Sequence, residues 1–104
     1  RLDEKINQYL DKALALYPHY PEANYEKGLF FLANQDTENA NARFVKAVEH
    51  DWNHWASHME LGKIAKDNGD WQKADMHFKI VLDLDPKNKV AKKLLKELQE
   101  VSSG

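Results

Sequence analysis

The sequence predicts an all-α protein, an α-solenoid of antiparallel helix pairs, on three observations. Residues recur at a fixed interval of 34, apolar positions within each repeat follow helical spacing, and Pro, Asn-Gly and Asp-Pro fall between the periodic stretches. Gly28 returns as Gly62, Ala40 as Ala74 and Phe44 as Phe78. The same offset joins Glu26 to Glu60, Asn34 to Asn68, Asp36 to Asp70 and Asp51 to Asp85. It also joins Ala13 to Ala47 and aligns Pro18, Trp52 and Pro86. A repeat of this length is one supersecondary unit whose apolar face is buried by stacking on its neighbours.

A leading helix over 2–17 carries Leu2, Ile6, Tyr9, Leu10, Ala13 and Leu14, a stripe too broad for one neighbouring helix. Ile6 holds the place of Ala40 and Ala74, so in a complete unit another helix would precede it. The chain starts at Arg1 without a methionine and reads as a piece of a longer protein. Upstream sequence is therefore the expected cover for this stripe, and a homo-oligomer formed through the N-terminal helix is the alternative.

The first full unit, 21–54, opens on Pro21 at a first helical position, where a missing N–H leaves nothing unpaired. Its first helix ends in the polar stretch "NQDT", and its second, from about residue 38 to 50, sets Ala40, Phe44, Ala47 and Val48 on one face. The second unit, 55–88, has a helix over 55–67 that stops at Asn68-Gly69 and another over 71–84 that halts before Asp85-Pro86. A capping helix over 88–101 sets Val90, Leu94, Leu98 and Val101 against lysines and glutamates, and 102–104 read as a flexible tail. Connections this short make sequential helices antiparallel. All six helices read as a single domain over 1–101.

Composition narrows the function. The 104 residues carry a net charge of -2, with no basic excess to attract nucleic acid or an anionic membrane surface. Cysteine is absent, so there is no disulfide framework and no thiolate nucleophile or ligand. No apolar run approaches the ~20 residues of a membrane-spanning helix, so membrane insertion is not expected. None of this sets the compartment. Serine occurs only as Ser57, Ser102 and Ser103, and no nucleophile elbow, P-loop, zinc-protease or dinucleotide motif is present. The chain reads as no enzyme, with no cofactor.

One stretch invites a metal reading. In "HDWNHWASH", His50, His54 and His58 recur every four residues and would stack on one continuous helix. The repeat breaks that helix at residues 51–53, which leaves His54 and His58 as a two-ligand candidate. Zinc sites take three or four protein ligands at about 2 Å. The expectation is no metal site, with His54 and His58 as the weak candidates.

These residues together resemble the tetratricopeptide repeat (TPR) family, whose signature is W-x2-L-G-x2-Y, then A-x3-F, then a closing proline. The second unit carries Leu61-Gly62, Ala74 with Phe78, and Pro86; the first carries Gly28, Phe31, Ala40 and Phe44. The departures are Asn24 and His58 in the tryptophan place, Lys27 in the leucine place and Trp52 in a proline place. Small residues at Gly28, Gly62, Ala40 and Ala74 fit close helix crossings, with Phe44 and Phe78 filling the space between.

The resemblance implies a non-catalytic scaffold that binds a peptide segment or partner domain in a concave groove lined by the first helix of each unit. Carried over residue by residue, the groove positions are Glu22, Tyr25, Leu29, Leu32 and Ala33 in the first unit. In the second they are Ala56, Met59, Lys63, Lys66 and Asp67. An apolar strip with basic residues at one end suits a protein or peptide partner with apolar anchors and an acidic end. Chaperone-binding members grip a C-terminal carboxylate with lysines and asparagines. Here Tyr25, Leu29, Glu60, Val90 and Leu94 stand at the clamp places, so a chaperone tail is not the expected ligand. A self-associating assembly module using the leading helix is the alternative reading.

Overall fold

In a computed structural model the described residues run from 2 to 103, with side chains described from 3 to 101. Among them are six helices and no strand: α1 (Leu2–Leu16), α2 (Pro21–Ala33), α3 (Thr37–His50), α4 (Trp55–Asp67), α5 (Trp71–Leu84) and α6 (Lys89–Ser103). They form two compact units, one ending at His54 and one beginning at Trp55. In the first, α2 packs on both α1 and α3; in the second, α5 packs on both α4 and α6. The helix α6 continues to Ser103, past the expected end at 101, and residue 104 of the expected tail lies outside the described residues.

Identical turn chemistry explains why the helices stop where they do. After α2, the Gln35 amide donates to the Leu32 carbonyl and the Asp36 amide to the Phe31 carbonyl, a Schellman closure. After α4, Gly69 donates to Lys66 and Asp70 to Ala65 in the same way. The aspartate then caps the next helix: Asp36 accepts from the Asn39 amide and Asp70 from the Lys73 amide, each at 3.2 Å. A second turn recurs three times, with Tyr20 donating to Tyr17, His54 to Asp51 and Asn88 to Asp85. Pro18, Trp52 and Pro86 occupy its second position, so Trp52 is accommodated by a backbone that needs no proline there.

The Schellman position requires a left-handed residue. Gly69 takes φ 78° without strain, whereas Gln35 is held at φ 62°. Gln35→Gly should stabilise the first unit by about 1 kcal/mol and raise its unfolding midpoint; a lowered midpoint in thermal denaturation would show that the glutamine side chain contributes more than its backbone costs.

Each two-helix core centres on a phenylalanine ring laid against glycine. Phe44 and Phe78 are both fully buried, as are Ala40 and Ala74 beside them. A Cβ built on Gly28 would stand 2.5 Å from the Phe44 ring, and one on Gly62 2.5 Å from Phe78. In the second unit Met59, Ala65, Ala74, Phe78, Val81, Ala91 and Leu98 make one apolar cluster, with Leu82, Leu94 and Leu95 against it.

The two outer helices differ from expectation. On α6 the inward face is Ala91, Leu94, Leu95 and Leu98, while Val90 and Val101 are exposed. The buried stripe is rotated because the small Ala91 takes a fully buried place in the cluster with α5. On α1, Leu10, Ala13 and Leu14 are half-buried and Tyr9 is exposed, and the side chain of Leu2 lies outside the described residues. Ile6 is 47% exposed where its repeat equivalents Ala40 and Ala74 are at 0%.

Candidate functional site

The α2 helix has two unlike faces. Toward its neighbours it buries Ala23, Asn24, Lys27 and Gly28. Lys27 is a buried cation in a place the repeat signature gives to leucine, and it is satisfied from α1: its ammonium donates to Asn7 Oδ1 and, at 2.7 Å, to Asp11 Oδ1. The same ammonium lies 5.3 and 5.4 Å from the ring centres of Phe30 and Phe31. Asn24, in the tryptophan place, donates through Nδ2 to the carbonyls of Pro18 and Tyr20 and accepts from Arg43 Nη1 at 3.1 Å. It ties the preceding turn, the α2 N-terminus and α3 together with hydrogen bonds where a large ring would do so by packing.

The other face of α2 carries Glu22, Tyr25, Leu29, Leu32 and Ala33. Glu22 and Ala33 are exposed, and Tyr25, Leu29 and Leu32 are half-buried. Glu22 Oε2 lies 2.9 Å from His54 Nε2, and the Tyr25 ring sits 4.9 Å from the His54 imidazole and 5.9 Å from Phe44. The end of the first unit thus folds back to support the start of its α2 face.

In the second unit the corresponding positions on α4 are less open. Met59 is 6% exposed and belongs to the apolar cluster, so its role there is packing. Lys66 reaches Glu97 of α6 at 3.1 Å, and Lys63, largely exposed, lies 3.6 Å from Glu60. Ala56 is half-buried and Asp67 is exposed.

The histidines have separate engagements. His50 stacks on His19 at 4.1 Å between ring centres. His54 belongs to the Glu22–Tyr25 cluster, and His58 is fully buried with its Nδ1 3.2 Å from His77 Nδ1. The two weak metal candidates therefore spend ring nitrogens on different partners. Among the described residues no three His, Cys, Asp or Glu side chains gather where they could hold a metal ion. Burial pushes the His77 imidazole down to about 4, and the neighbouring His58 and Lys73 add to the effect. The pairing of His58 with His77 was hidden at the sequence level, because 19 residues separate them and only the α4–α5 register brings them together. An open apolar hollow lined by Leu16, Tyr17, Pro18, His19 and Tyr20 was also not foreseen; its aromatic composition was the available signal.

No protein-family model matches the chain, and no curated protein matches it in sequence. Solved structures do match. The Arabidopsis OM64 TPR domain superposes with a TM-score of 0.83 at 21% identity, covering 93% of this chain and 83% of that one. The first TPR of Spaghetti (RPAP3), solved bound to the HSP90 peptide SRMEEVD, gives 0.80 at 19% identity, covering 99% and 91%. The fold is that of TPR domains. No helix among the described residues is long and apolar enough to cross a membrane.

Proposed function

We propose that this chain, with its TPR fold, is a non-catalytic interaction scaffold that holds a peptide segment or partner domain on the exposed side of α2. The observation that carries this reading is the α2 face itself. Tyr25, Leu29 and Leu32 remain only half-buried on a helix whose opposite face is closed by α1 and α3. A solved relative in fold holds a peptide, which supports a peptide or protein as the ligand class. Taken by itself, α4 of the second unit presents Lys63, Asp67 and the partly open Lys66, because Met59 is committed to packing. A chaperone carboxylate tail does not suit these faces, since Tyr25 and Leu29 offer no cation.

The test is capture of partners by the full-length protein, repeated with Tyr25→Ala combined with Leu29→Ala. Loss of an aromatic and an aliphatic anchor from one face should weaken capture at least tenfold, in line with the ~2 kcal/mol typical of an interface hot spot. Circular dichroism of the variant is the check that it is folded. Retention of the same partners at the same strength would refute the assignment of this face.

A further inference from the structure

We infer that the α2 face selects a cationic ligand: a peptide with a lysine or arginine followed three residues later by an aliphatic side chain. This rests on the interaction reading above and specifies its ligand. At helical spacing Glu22 and Glu26 lie one turn apart on the same side as Tyr25, Leu29 and Leu32. Both glutamates are exposed. The Glu22 side chain is 55% exposed even while one oxygen meets His54, whose own side chain is only 13% exposed. A carboxylate held from behind by a sheltered imidazole, itself packed on the Tyr25 ring, is positioned before any ligand arrives.

No cation offsets these carboxylates from their own helix. The lysine of α2, Lys27, is buried on the far side and paired with Asp11, and Arg43 of α3 is spent on Asn24. An acidic ligand laid along this face would meet like charge, and a cationic one would meet two carboxylates and then an apolar strip. Spacing sets the motif. Glu22 and Leu29 are seven residues apart, about 10 Å along a helix rising 1.5 Å per residue, and an extended chain covers about 10 Å in three residues.

The earlier expectation of an acidic-ended partner drew on Lys63 and Lys66 of α4. Lys66 is held by Glu97, and Glu60 lies near Lys63, so that face is the weaker attractor of anions.

The experiment is a methyl-NMR titration with two synthetic probes. One is a glycine–serine decapeptide containing Arg-Ser-Ser-Leu; its twin has glutamate in place of arginine. The arginine probe should shift the Leu29 and Leu32 methyl signals and bind at least fivefold tighter than its twin at low salt, with the difference shrinking as salt is raised. Glu22→Lys with Glu26→Lys should invert that preference. Because Glu22 also supports His54, the single change Glu26→Lys is the control that leaves this contact intact, and it should lower the preference at least twofold. Equal or tighter binding of the glutamate twin on the α2 methyls would overturn the charge assignment while leaving the scaffold reading standing. Absence of methyl shifts with either probe at millimolar concentration would overturn the motif as well. The scaffold reading itself falls only if captured partners survive the Tyr25→Ala and Leu29→Ala change.

Discussion

Gly62→Leu should abolish cooperative folding of the second unit. A single carbon at that position already stands 2.5 Å from the Phe78 ring, well inside van der Waals contact, and leucine adds three more. The ring has no room to retreat, because Phe78, Ala74 and Val81 are all at 0% exposure. Overpacking of even one or two methylenes costs about 1–3 kcal/mol, and small domains hold only about 5–15 kcal/mol in total. The sign of the milder change is equally diagnostic. In an open helix Gly→Ala is worth up to about 1 kcal/mol of stabilisation. Here Gly62→Ala should destabilise by about 1–3 kcal/mol, and Phe78→Leu should recover part of that loss in the double variant, a coupling readable by urea denaturation. A cooperative melt of Gly62→Leu within about two degrees of wild type would remove the ring-against-glycine account of this core.

Acid should loosen the second unit as the pH falls from 6.5 toward 5. His77 is depressed to about 4 in the folded protein, whereas an unfolded histidine titrates near its ordinary value of 6.5. Between those values the unfolded chain binds the extra proton, so stability is complete above pH 6.5 and falls as pH drops through 6.5 toward 4. At about 1.4 kcal/mol per pH unit of difference, the full loss is about 3 kcal/mol, of which about 2 is reached by pH 5. Geometry points the same way. With the two Nδ1 atoms 3.2 Å apart, one must donate and the other accept, and protonating the acceptor leaves two N–H groups facing each other in a dry core. Denaturant melts at pH 7 and pH 5 measure the difference, and His77→Gln should flatten it. Equal wild-type stability at the two pH values would exclude His77 as the cause.

The helix boundaries could be read from the sequence because their causes are local. Proline at a first helical position, Asn-Gly at a helix end and aspartate at a cap act within a few residues of themselves, and the 34-residue register repeats them. Burial was less readable because its causes are distant. The place of Lys27 inside the first unit depends on Asn7 and Asp11, which α1 delivers from 20 and 16 positions earlier. Met59 and Lys66 had the spacing of surface positions, but Met59 lies in the cluster and Lys66 is engaged through Glu97, both effects of how the second unit closes. The histidine triplet shows the same division. Its four-residue spacing is a local fact, broken by a turn that the repeat anticipates, whereas the contact between His58 and His77 arises only when α4 meets α5.

The polar anchorage of α1 has a consequence for the order in which the molecule comes apart. Most helices of a soluble protein are held by a dry apolar stripe. This one turns Asn7 and Asp11 toward its neighbour and leaves Ile6 and Tyr9 in water. Its attachment therefore rests on the half-buried Leu10, Ala13 and Leu14 together with an ion pair whose acidic member is 58% exposed and open to screening by salt. Amides of α1 should accordingly be among the first to exchange with solvent, through partial openings that leave the Phe44 core closed. Any molecule that settles over Ile6 would act first on that local equilibrium, slowing the detachment of one helix while the global melt barely moves.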